Sequence, residues 1–440
     1  MKRSNRMLAV LATTALLLAA CSSDDTSSNS TAASTTGAST TAGSTTTGAS
    51  GTGATVTTGA PQQADASKSP VLVGFHNLEG GALSLPEVRE GFESGMNYVN
   101  EELGGINGHP MKADLCKLDV TPESSVNCAN EFVEKNVVMA VQGVDVAADA
   151  MLPVIKQAGI VEFGFFAFTP GMNNAVGDAY FSLFSQEEGF AADLMTQQSL
   201  GAKKEAVVQA DLPTTHALLD SVIKPTAAKL GMEIAPFFYP TTADWTTLAA
   251  TILASDPDAI SLTAAEDSVC LAAVPALREA GFKGVIHASS CSEIIDELPV
   301  EQLQNVISHN EFYYPTFTQI PAKAQADIDT YMRYIKRDFP NFTSLVYTQL
   351  GFHVAVQAAD ILRQIPGDAI TAADVKAGIT KTKGGEFFRD SDNGYDCSKP
   401  SWPNTTACGT GLIFTKITSD RRKEPLPNQP VDVSSVRPAG

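Results

Sequence analysis

The stretch VLVGFHNLEGGALSLPEVREGFESGMNYVNEELGGINGHPMKADLCKLDV, residues 71–120, decides the fold of this chain. It begins with an apolar run at 71–75, which predicts a buried strand. Apolar residues then recur every three or four positions through 85–103, which predicts a helix with one face on a sheet. The glycine pair 104–105 ends that helix, and the pattern at 111–118 predicts the next strand. Strand, helix and strand in this order are typical of a parallel sheet covered by helices.

The same alternation continues along the chain, and about 370 residues follow position 69, enough for two domains. Apolar strands between helices predict parallel sheets with both faces covered. The further predicted strands are 137–141, 160–163, 206–209, 234–238, 259–263 and 285–287. The further predicted helices are 124–135, 148–158, 188–200, 218–230, 245–253, 269–280, 322–337, 345–365 and 372–381. The terminal part, 386–417, is predicted to contain strands and loops.

The N-terminus has the pattern of an export signal. Three basic residues before position 7 precede an apolar stretch at 7–18, which is shorter than the roughly 20 residues that span a bilayer. The sequence Leu-Ala-Ala before Cys21 resembles the lipobox of bacterial lipoproteins, in which the cysteine is acylated. We therefore expect 1–20 to be removed and Cys21 to carry a lipid anchor. A plain signal peptide with an incidental cysteine is the alternative.

Residues 21–69 consist mainly of Ser, Thr, Gly and Ala, with Val56 as the one large aliphatic residue. Such a segment cannot bury a core, so we expect a disordered tether. The chain has 30 basic and 49 acidic residues, and without the three basic residues of the signal its net charge is about −22. This balance argues against binding to nucleic acid or to anionic lipid headgroups. We expect membrane contact through the lipid anchor only.

Six cysteines follow the tether. An even number in an exported chain predicts disulfides. Fifteen pairings are possible, and short separation along the chain favours one set. The favoured pairs are Cys116 with Cys128, Cys270 with Cys291, and Cys397 with Cys408. A zinc site needs closely spaced Cys or His pairs, which the sequence lacks, so we expect no metal.

Several stretches resemble the type I periplasmic binding proteins of the branched-chain amino acid transport group. They are the predicted helix and turn within 91–108, the segment 116–128 with the helix after it, 152–160, and 277–282. The likeness covers most of 71–417. It implies an α/β fold with two Rossmann-like lobes, joined by three hinge crossings, that close over a solute in the cleft between them.

The resemblance also sets the expected domains, with crossings near Phe184, Tyr313 and Thr410. Lobe 1 is expected at 70–184 plus 314–410, lobe 2 at 185–313 plus 411–420, and a Pro-rich extended tail at 421–440.

The implied function is extracytoplasmic capture of a small polar or amphipathic solute for an ABC importer, whose permease is the partner. A monomer suffices for this, with no cofactor and no catalysis. Three alternatives remain open, namely a ligand-binding sensor or receptor module of the same fold, a secreted hydrolase, and a purely structural envelope protein. A hydrolase needs a set of catalytic residues. The part of the sequence after the tether contains no G-x-S-x-G, H-E-x-x-H or Walker-type loop that would supply one.

Loops that follow strands supply the candidates for solute contact. The candidates are His76, Asn77, Asp145, Phe166, Ala167, Phe168, Asp211, Glu266, Ser289 and Tyr347.

Three of these positions depart from what the resemblance implies for amino-acid recognition. In amino-acid-binding relatives a Ser and a Thr grip the carboxylate, but here Asp145 and Phe168 stand at those positions, with Thr169 one step later. Relatives also place an acidic residue against the ammonium group where this chain has Ser289. We therefore do not expect a simple branched-chain amino acid. If Asp145 and Glu266 point inward, a solute with an amine or hydroxyl group and an apolar or aromatic body fits better.

Overall fold

The computed structural model describes residues 61–438, except 81–82, 241, 264–266, 290, 292 and 391–393. The signal segment, Cys21 and most of the tether therefore lie outside the described residues, as does Glu266. The expectations about these residues stay predictions.

The first sheet contains six strands. They are β1 (Val71–Gly80), β2 (Leu83–Ser84), β3 (Met111–Leu118), β4 (Ala140–Gln142), β5 (Glu162–Gly164) and β6 (Ala179–Phe181). The parallel strands lie in the order β3-β1-β4-β5-β6, and β2 pairs antiparallel with the end of β1. Every residue of β4, β5 and β6 is buried, as expected for strands with both faces covered.

The second sheet repeats this strand order. Its strands are β7 (Lys204–Ala210), β8 (Glu233–Tyr239), β9 (Ala259–Leu262), β10 (Val285–His287), β11 (Val306–Asn310), β14 (Ile413–Ile417) and β15 (Lys423–Pro425), while β12 (Lys383–Gly384) and β13 (Tyr395–Asp396) form a separate pair. The parallel strands lie in the order β8-β7-β9-β10-β11, and β14 and β15 extend the sheet antiparallel. Thus both lobes have one topology, although the sequence shows no internal repeat.

Helices lie between and after the sheet strands along the chain. They are α1 (Pro86–Glu101), α2 (Pro122–Glu134), α3 (Leu152–Gln157), α4 (Pro170–Asn174), α5 (Gln186–Ser199), α6 (Pro213–Leu218), α7 (Lys224–Leu230), α8 (Trp245–Leu253), α9 (Asp267–Glu279), α10 (Ile294–Glu297), α11 (Ala322–Asp338), α12 (Leu345–Gln364) and α13 (Ala372–Gly378). Several begin at a capping side chain, such as Thr121, which accepts from Ser124 N. A π-helical turn at Leu219–Ile223 separates α6 from α7, within the single helix predicted at 218–230.

Helices α1 and α12 are far apart in the sequence but pack directly against each other in lobe 1. A Cβ on Gly91 would lie 1.9 Å from Thr348 O, and one on Gly351 would lie 1.9 Å from Val88 O. Glycine is required at both positions because the backbones nearly touch.

The chain passes between the two sheets three times. Crossing 1 (182–185) leads from β6 to α5, crossing 2 (311–321) leads from β11 to α11, and crossing 3 (409–412) leads into β14. The predicted α/β fold of two Rossmann-like lobes with three hinge crossings is confirmed.

The C-terminal segment differs from the extended tail predicted at 421–440. Its strand β15 pairs with β14, Val433 and Val436 are buried, and Lys423 Nζ donates to Asn310 Oδ1 at 2.7 Å. The prolines suggested an extended segment, but an edge strand tolerates them because one side of its backbone needs no sheet partner.

All three favoured disulfide pairings are present. They are Cys116–Cys128 between β3 and α2, Cys270–Cys291 between α9 and the segment after β10, and Cys397–Cys408. Within the described ranges, no helix combines the length and the hydropathy of a bilayer span.

Candidate functional site

Each parallel sheet has a switch point, where connections leave neighbouring strands in opposite directions. It lies between β1 and β4 in the first sheet and between β7 and β9 in the second. Open α/β sheets bind ligands beyond the carboxyl ends of strands at such a point. We therefore take the loops that follow these strands as the candidate functional site.

The first switch point contains a buried ionic cluster. His76 Nε2 lies 2.6 Å from Glu162 Oε1, and its Nδ1 lies 3.3 Å from Asp145 Oδ2. Asp145 also accepts from Ser125 Oγ at 2.9 Å and from Ala147 N at 2.8 Å. The cluster joins β1 and β5 to the loop after β4.

Charge pairing sets the ionisation of this cluster. Burial alone would lower the pKa of His76, but Glu162 and Asp145 raise it to about 10. Burial would raise the pKa of Asp145, yet the hydrogen bond and charge of His76 lower it overall. Asp145 is thus paired within the protein, which lessens its repulsion of an anionic solute. Neither His76 nor Asp145 presents an exposed atom to the cleft in this conformation.

Asn77 supports the same loop through its amide. Its Oδ1 accepts from Val144 N at 3.0 Å, and its Nδ2 donates to Leu85 O at 2.8 Å. A Cβ on Gly143 would lie 2.6 Å from Asn77 Oδ1, so the loop needs glycine there. These bonds fit a residue that positions the loop rather than one that contacts solute.

The hydrogen-bond donors at Thr169 and in the turn after it already have an acceptor within the protein. The carboxylate of Asp149 accepts from Thr169 Oγ1 at 2.5 Å, Met172 N at 3.0 Å and Gly171 N at 3.1 Å. These groups stand next to the place where the resemblance implies a carboxylate grip. In this structure the carboxylate that these groups bind is that of Asp149.

An aromatic row runs from the first lobe to the second. Phe166 and Phe168 are half-buried, with ring centroids 5.5 Å apart. The Phe166 ring lies 5.6 Å from that of Phe184 on crossing 1, which lies 6.3 Å from the ring of His309 on β11. Phe166, Phe168 and the half-buried Ala167 between them leave apolar area partly accessible next to crossing 1.

In the second lobe, Asp211 follows β7 and is exposed. Its Oδ1 lies 2.8 Å from Nε2 of the exposed His216, whose ring stacks on Phe238 with centroids 3.8 Å apart. Ser289 follows β10 with a positive φ of 32°, and its carbonyl accepts from His309 N at 3.3 Å. Ser289 is buried, whereas Asp211 is open to solvent.

Two links join the first half of α9 to the segment after β10. One is the Cys270–Cys291 disulfide, and the other is the hydrogen bond from Glu293 N to Asp267 Oδ1 at 2.8 Å. Asp267 is the first residue of α9 and directly follows the loop after β9. These links hold the second-lobe loops together before any solute arrives.

Tyr347 lies at the start of α12 in the first lobe. Its side chain is 38% exposed. Burial raises the pKa of its hydroxyl, and the nearby carboxylates of Asp267, Glu311 and Glu87 raise it further. Tyr347 and Asp267 therefore bring polar groups from different lobes near one another.

The structure separates the predicted site residues into two sets. The first set is buried and bonded within the protein, which corrects the expectation that its members point at solute in this conformation: His76, Asn77, Asp145 and Ser289. The second set stays at least partly accessible: Phe166, Ala167, Phe168, Asp211 and Tyr347.

Sequence reasoning did not identify Glu162, Asp149, Phe184 or Asp267 as parts of the site. Asp267 had a detectable signal, since an acidic residue often begins a helix. The pairing of His76 with Glu162 depends on strand register and has no local signal.

A cavity of about 530 Å³ lies elsewhere, and its lining residues come from 313–321 and 416–429. None of these lining residues belongs to the loops of either switch point, so we do not place the solute there. Across the described part of the chain, no three His, Cys, Asp or Glu side chains are grouped as a metal site would require.

Comparison with known proteins agrees with this geometry. The family model for periplasmic binding proteins matches residues 79–394. An extracellular ligand-binding receptor from Verminephrobacter eiseniae is 18% identical, with 81% of this chain and 99% of that one covered at a TM-score of 0.63. No curated protein matches the chain.

Two further solved structures share the fold. The substrate-binding protein LivJ of a branched-chain amino acid transporter from Streptococcus pneumoniae, in complex with isoleucine, is 15% identical over 81% of this chain and 99% of that one, with a TM-score of 0.60. The leucine-binding protein LivK from Thermotoga maritima is 16% identical over 81% and 97%, with a TM-score of 0.61. The family model spans more than two thirds of the sequence, so the chain belongs to the periplasmic binding protein family.

Proposed function

We propose that this chain is a lipid-anchored, extracytoplasmic binding protein that captures a small solute for an ABC importer and catalyses nothing. The observation that carries the proposal is the repeated strand order, which gives each lobe its own switch point. Three crossings connect the lobes, and hinge closure around a ligand is a standard motion of such folds. Solved structures with this fold include binding proteins for leucine and isoleucine.

Features of the sequence support the proposed anchor and partner. Cys21 after the apolar stretch is the proposed lipid attachment point, and the tether gives the folded part reach from the membrane. The acidic balance favours neither nucleic acid nor anionic lipid as a partner. A monomer is sufficient to deliver solute to a permease.

The proposed solute has an apolar or aromatic body and an amine or hydroxyl group. Phe166 and Phe168 offer apolar area, while Asp211, Asp267 and Tyr347 offer acceptors or a hydroxyl. The donors beside Thr169 are taken by Asp149, which disfavours a carboxylate there. The solute class thus differs from a simple branched-chain amino acid.

Thermal unfolding of the chain with candidate solutes tests the proposal. The panel should contain amines, aromatic alcohols, aromatic acids, polyols, sugars, nucleosides and amino acids. A solute at 100 times its dissociation constant adds about 2.7 kcal/mol, which raises Tm by several degrees. We expect shifts with amines or aromatic alcohols.

The other outcomes separate the two parts of the proposal. A shift with leucine or valine alone would contradict the solute class and leave solute capture intact. No shift with any class would contradict capture. The sensor alternative shares the cleft, and transport of radiolabelled solute into cells that lack the chain distinguishes it, because a sensor would leave uptake unchanged.

A further inference from the structure

Arg389 lies where crossing 2 leaves the second sheet and crossing 3 enters it. It belongs to the loop between β12 and β13, and its side chain is 3% exposed. First-lobe contacts hold this loop, since Lys323 Nζ donates to Arg389 O at 3.1 Å and Phe388 N donates to Asp327 Oδ2 at 3.0 Å. Both Lys323 and Asp327 are on α11. The backbone that carries the guanidinium is therefore attached to the first lobe.

The guanidinium itself bonds to the strand ends of the second lobe. Its Nε donates to Glu311 O at 2.8 Å, its Nη2 donates to Gly411 O at 2.9 Å, and its Nη1 donates to Thr410 O. Glu311 directly follows β11, and β14 begins two residues after Gly411. One planar group with fixed donor directions thus holds both crossings.

Helix α5, which directly follows crossing 1, reaches the same place through a carboxyl group. Glu188, in the first turn of α5, accepts from Gly411 N at 2.7 Å. A Cβ on Gly409 would lie 1.7 Å from Ser182 O, so crossings 1 and 3 are in direct backbone contact. Glu386 Oε2 lies 2.6 Å from Arg389 Nε, which places a second carboxyl beside the guanidinium.

We infer that Arg389 is a positioning residue that determines the relative orientation of the two lobes. Rotation of one lobe about the crossings would change the distances from the guanidinium to its three carbonyl acceptors. A buried N–H without a partner costs about 1–3 kcal/mol, so rotations that keep the three bonds are favoured. The population of the binding-competent orientation scales the apparent solute affinity. Only this last consequence rests on the proposed function.

Distances between spin labels in the solute-free chain test the inference. Val176 in lobe 1 and Leu212 in lobe 2 are 58% and 51% exposed, so V176C with L212C gives an interlobe pair. V176C with V120C gives a pair within lobe 1, because Val120 is 43% exposed. We expect R389M and R389K to broaden or shift the interlobe distribution and to leave the pair within lobe 1 unchanged. Lysine keeps the positive charge but lacks the planar guanidinium, whose N–H donors point in fixed directions.

The matched control is R363M. Arg363 is a partly buried arginine of α12 whose Nε donates to Gly105 O at 2.8 Å, within lobe 1. We expect R363M to lower Tm without altering interlobe distances. An unchanged interlobe distribution in both Arg389 variants would overturn the inference, as would failure of R389K to fold. Since no solute is used, these outcomes do not depend on whether solute capture is correct.

Discussion

His76 Nε2 lies 2.6 Å from Glu162 Oε1, and both side chains are fully buried. The opposite ring nitrogen lies 3.3 Å from Asp145 Oδ2, so one imidazolium sits between two carboxylates. Isolated buried charges are costly, and the arrangement persists because each charge has a partner. The cluster anchors the loop after β4, which is part of the first switch point.

We expect H76N to lower the free energy of unfolding by about 3–5 kcal/mol near pH 6, because two buried carboxylates lose their counter-charge. The folded pKa of His76 is about 10, above its ordinary value of 6.5. Its contribution is thus complete below pH 6.5 and is lost as pH rises through 10. Urea unfolding of both proteins between pH 6 and 10 measures this, and the difference between them should shrink with pH.

H216N is the control for that experiment. His216 pairs with Asp211 at 2.8 Å, but both side chains are about half exposed. An exposed pair contributes less than about 1 kcal/mol, so this variant should unfold almost as the parent does. A pH-independent loss in H76N would show that His76 acts by packing alone.

The sequence predicted most elements of the fold because local signals define them. The amphipathic pattern at 85–103 gave α1 (Pro86–Glu101), and strand Val285–His287 matches its predicted bounds. The shared strand order of the two sheets escaped detection because many apolar residues satisfy the same core position. The two lobes therefore share a strand order although their sequences show no repeat.

The site was less predictable because its contacts are long-range. His76 and Asp145 were chosen as residues that follow strands, but their orientation depends on Glu162, 86 residues from His76. Asp149 and Thr169 likewise meet only after folding. Phe166 and Phe168 were predicted from the end of a strand, and they are accessible because the chain leaves the sheet there.

Glu386 should make stability depend on pH in the opposite sense to a normal surface carboxylate. Burial and the adjacent Glu188 raise its pKa to about 8, against the attraction of Arg389. The folded state then holds a proton that the unfolded state releases above pH 4.5. The free energy of unfolding should fall as pH rises from about 4.5 to 8.

E386Q should remove that pH-dependent loss, on the order of a few kcal/mol, because glutamine keeps the shape without ionising. Denaturant unfolding at pH 5 and pH 8.5 measures the change in slope against the parent. Glu131, an exposed partner of Lys135, provides the comparison variant E131Q, which should leave the slope as it is. Equal slopes for E386Q and the parent would refute the assignment.

The Cys270–Cys291 disulfide should organise the second-lobe loops. We expect C270A/C291A to lose about 3 kcal/mol of stability and to exchange backbone amides of 288–298 faster. Hydrogen exchange followed by mass spectrometry locates the effect. C116A/C128A removes a disulfide between β3 and α2 that spans 12 residues, against 21 for Cys270–Cys291, and should leave 288–298 unchanged. Faster exchange there in both variants would indicate general destabilisation.

Phe166 should contribute apolar area to the solute. It is half-buried and contacts Phe168 and Phe184, whereas the preceding Phe165 is 3% exposed and belongs to the core. F166A should weaken the best solute from the thermal screen by about tenfold, since losing a ring contact costs about 1–2 kcal/mol.

F165A is the matched variant and should behave in the reverse way. Truncating a fully packed Phe costs about 3–5 kcal/mol of stability, while solute affinity of the folded fraction should change little. Calorimetric titration gives the affinities, and urea unfolding gives the stabilities. If F166A lowered stability as much as F165A and left affinity intact, Phe166 would be a core residue and the aromatic row would not line the cleft.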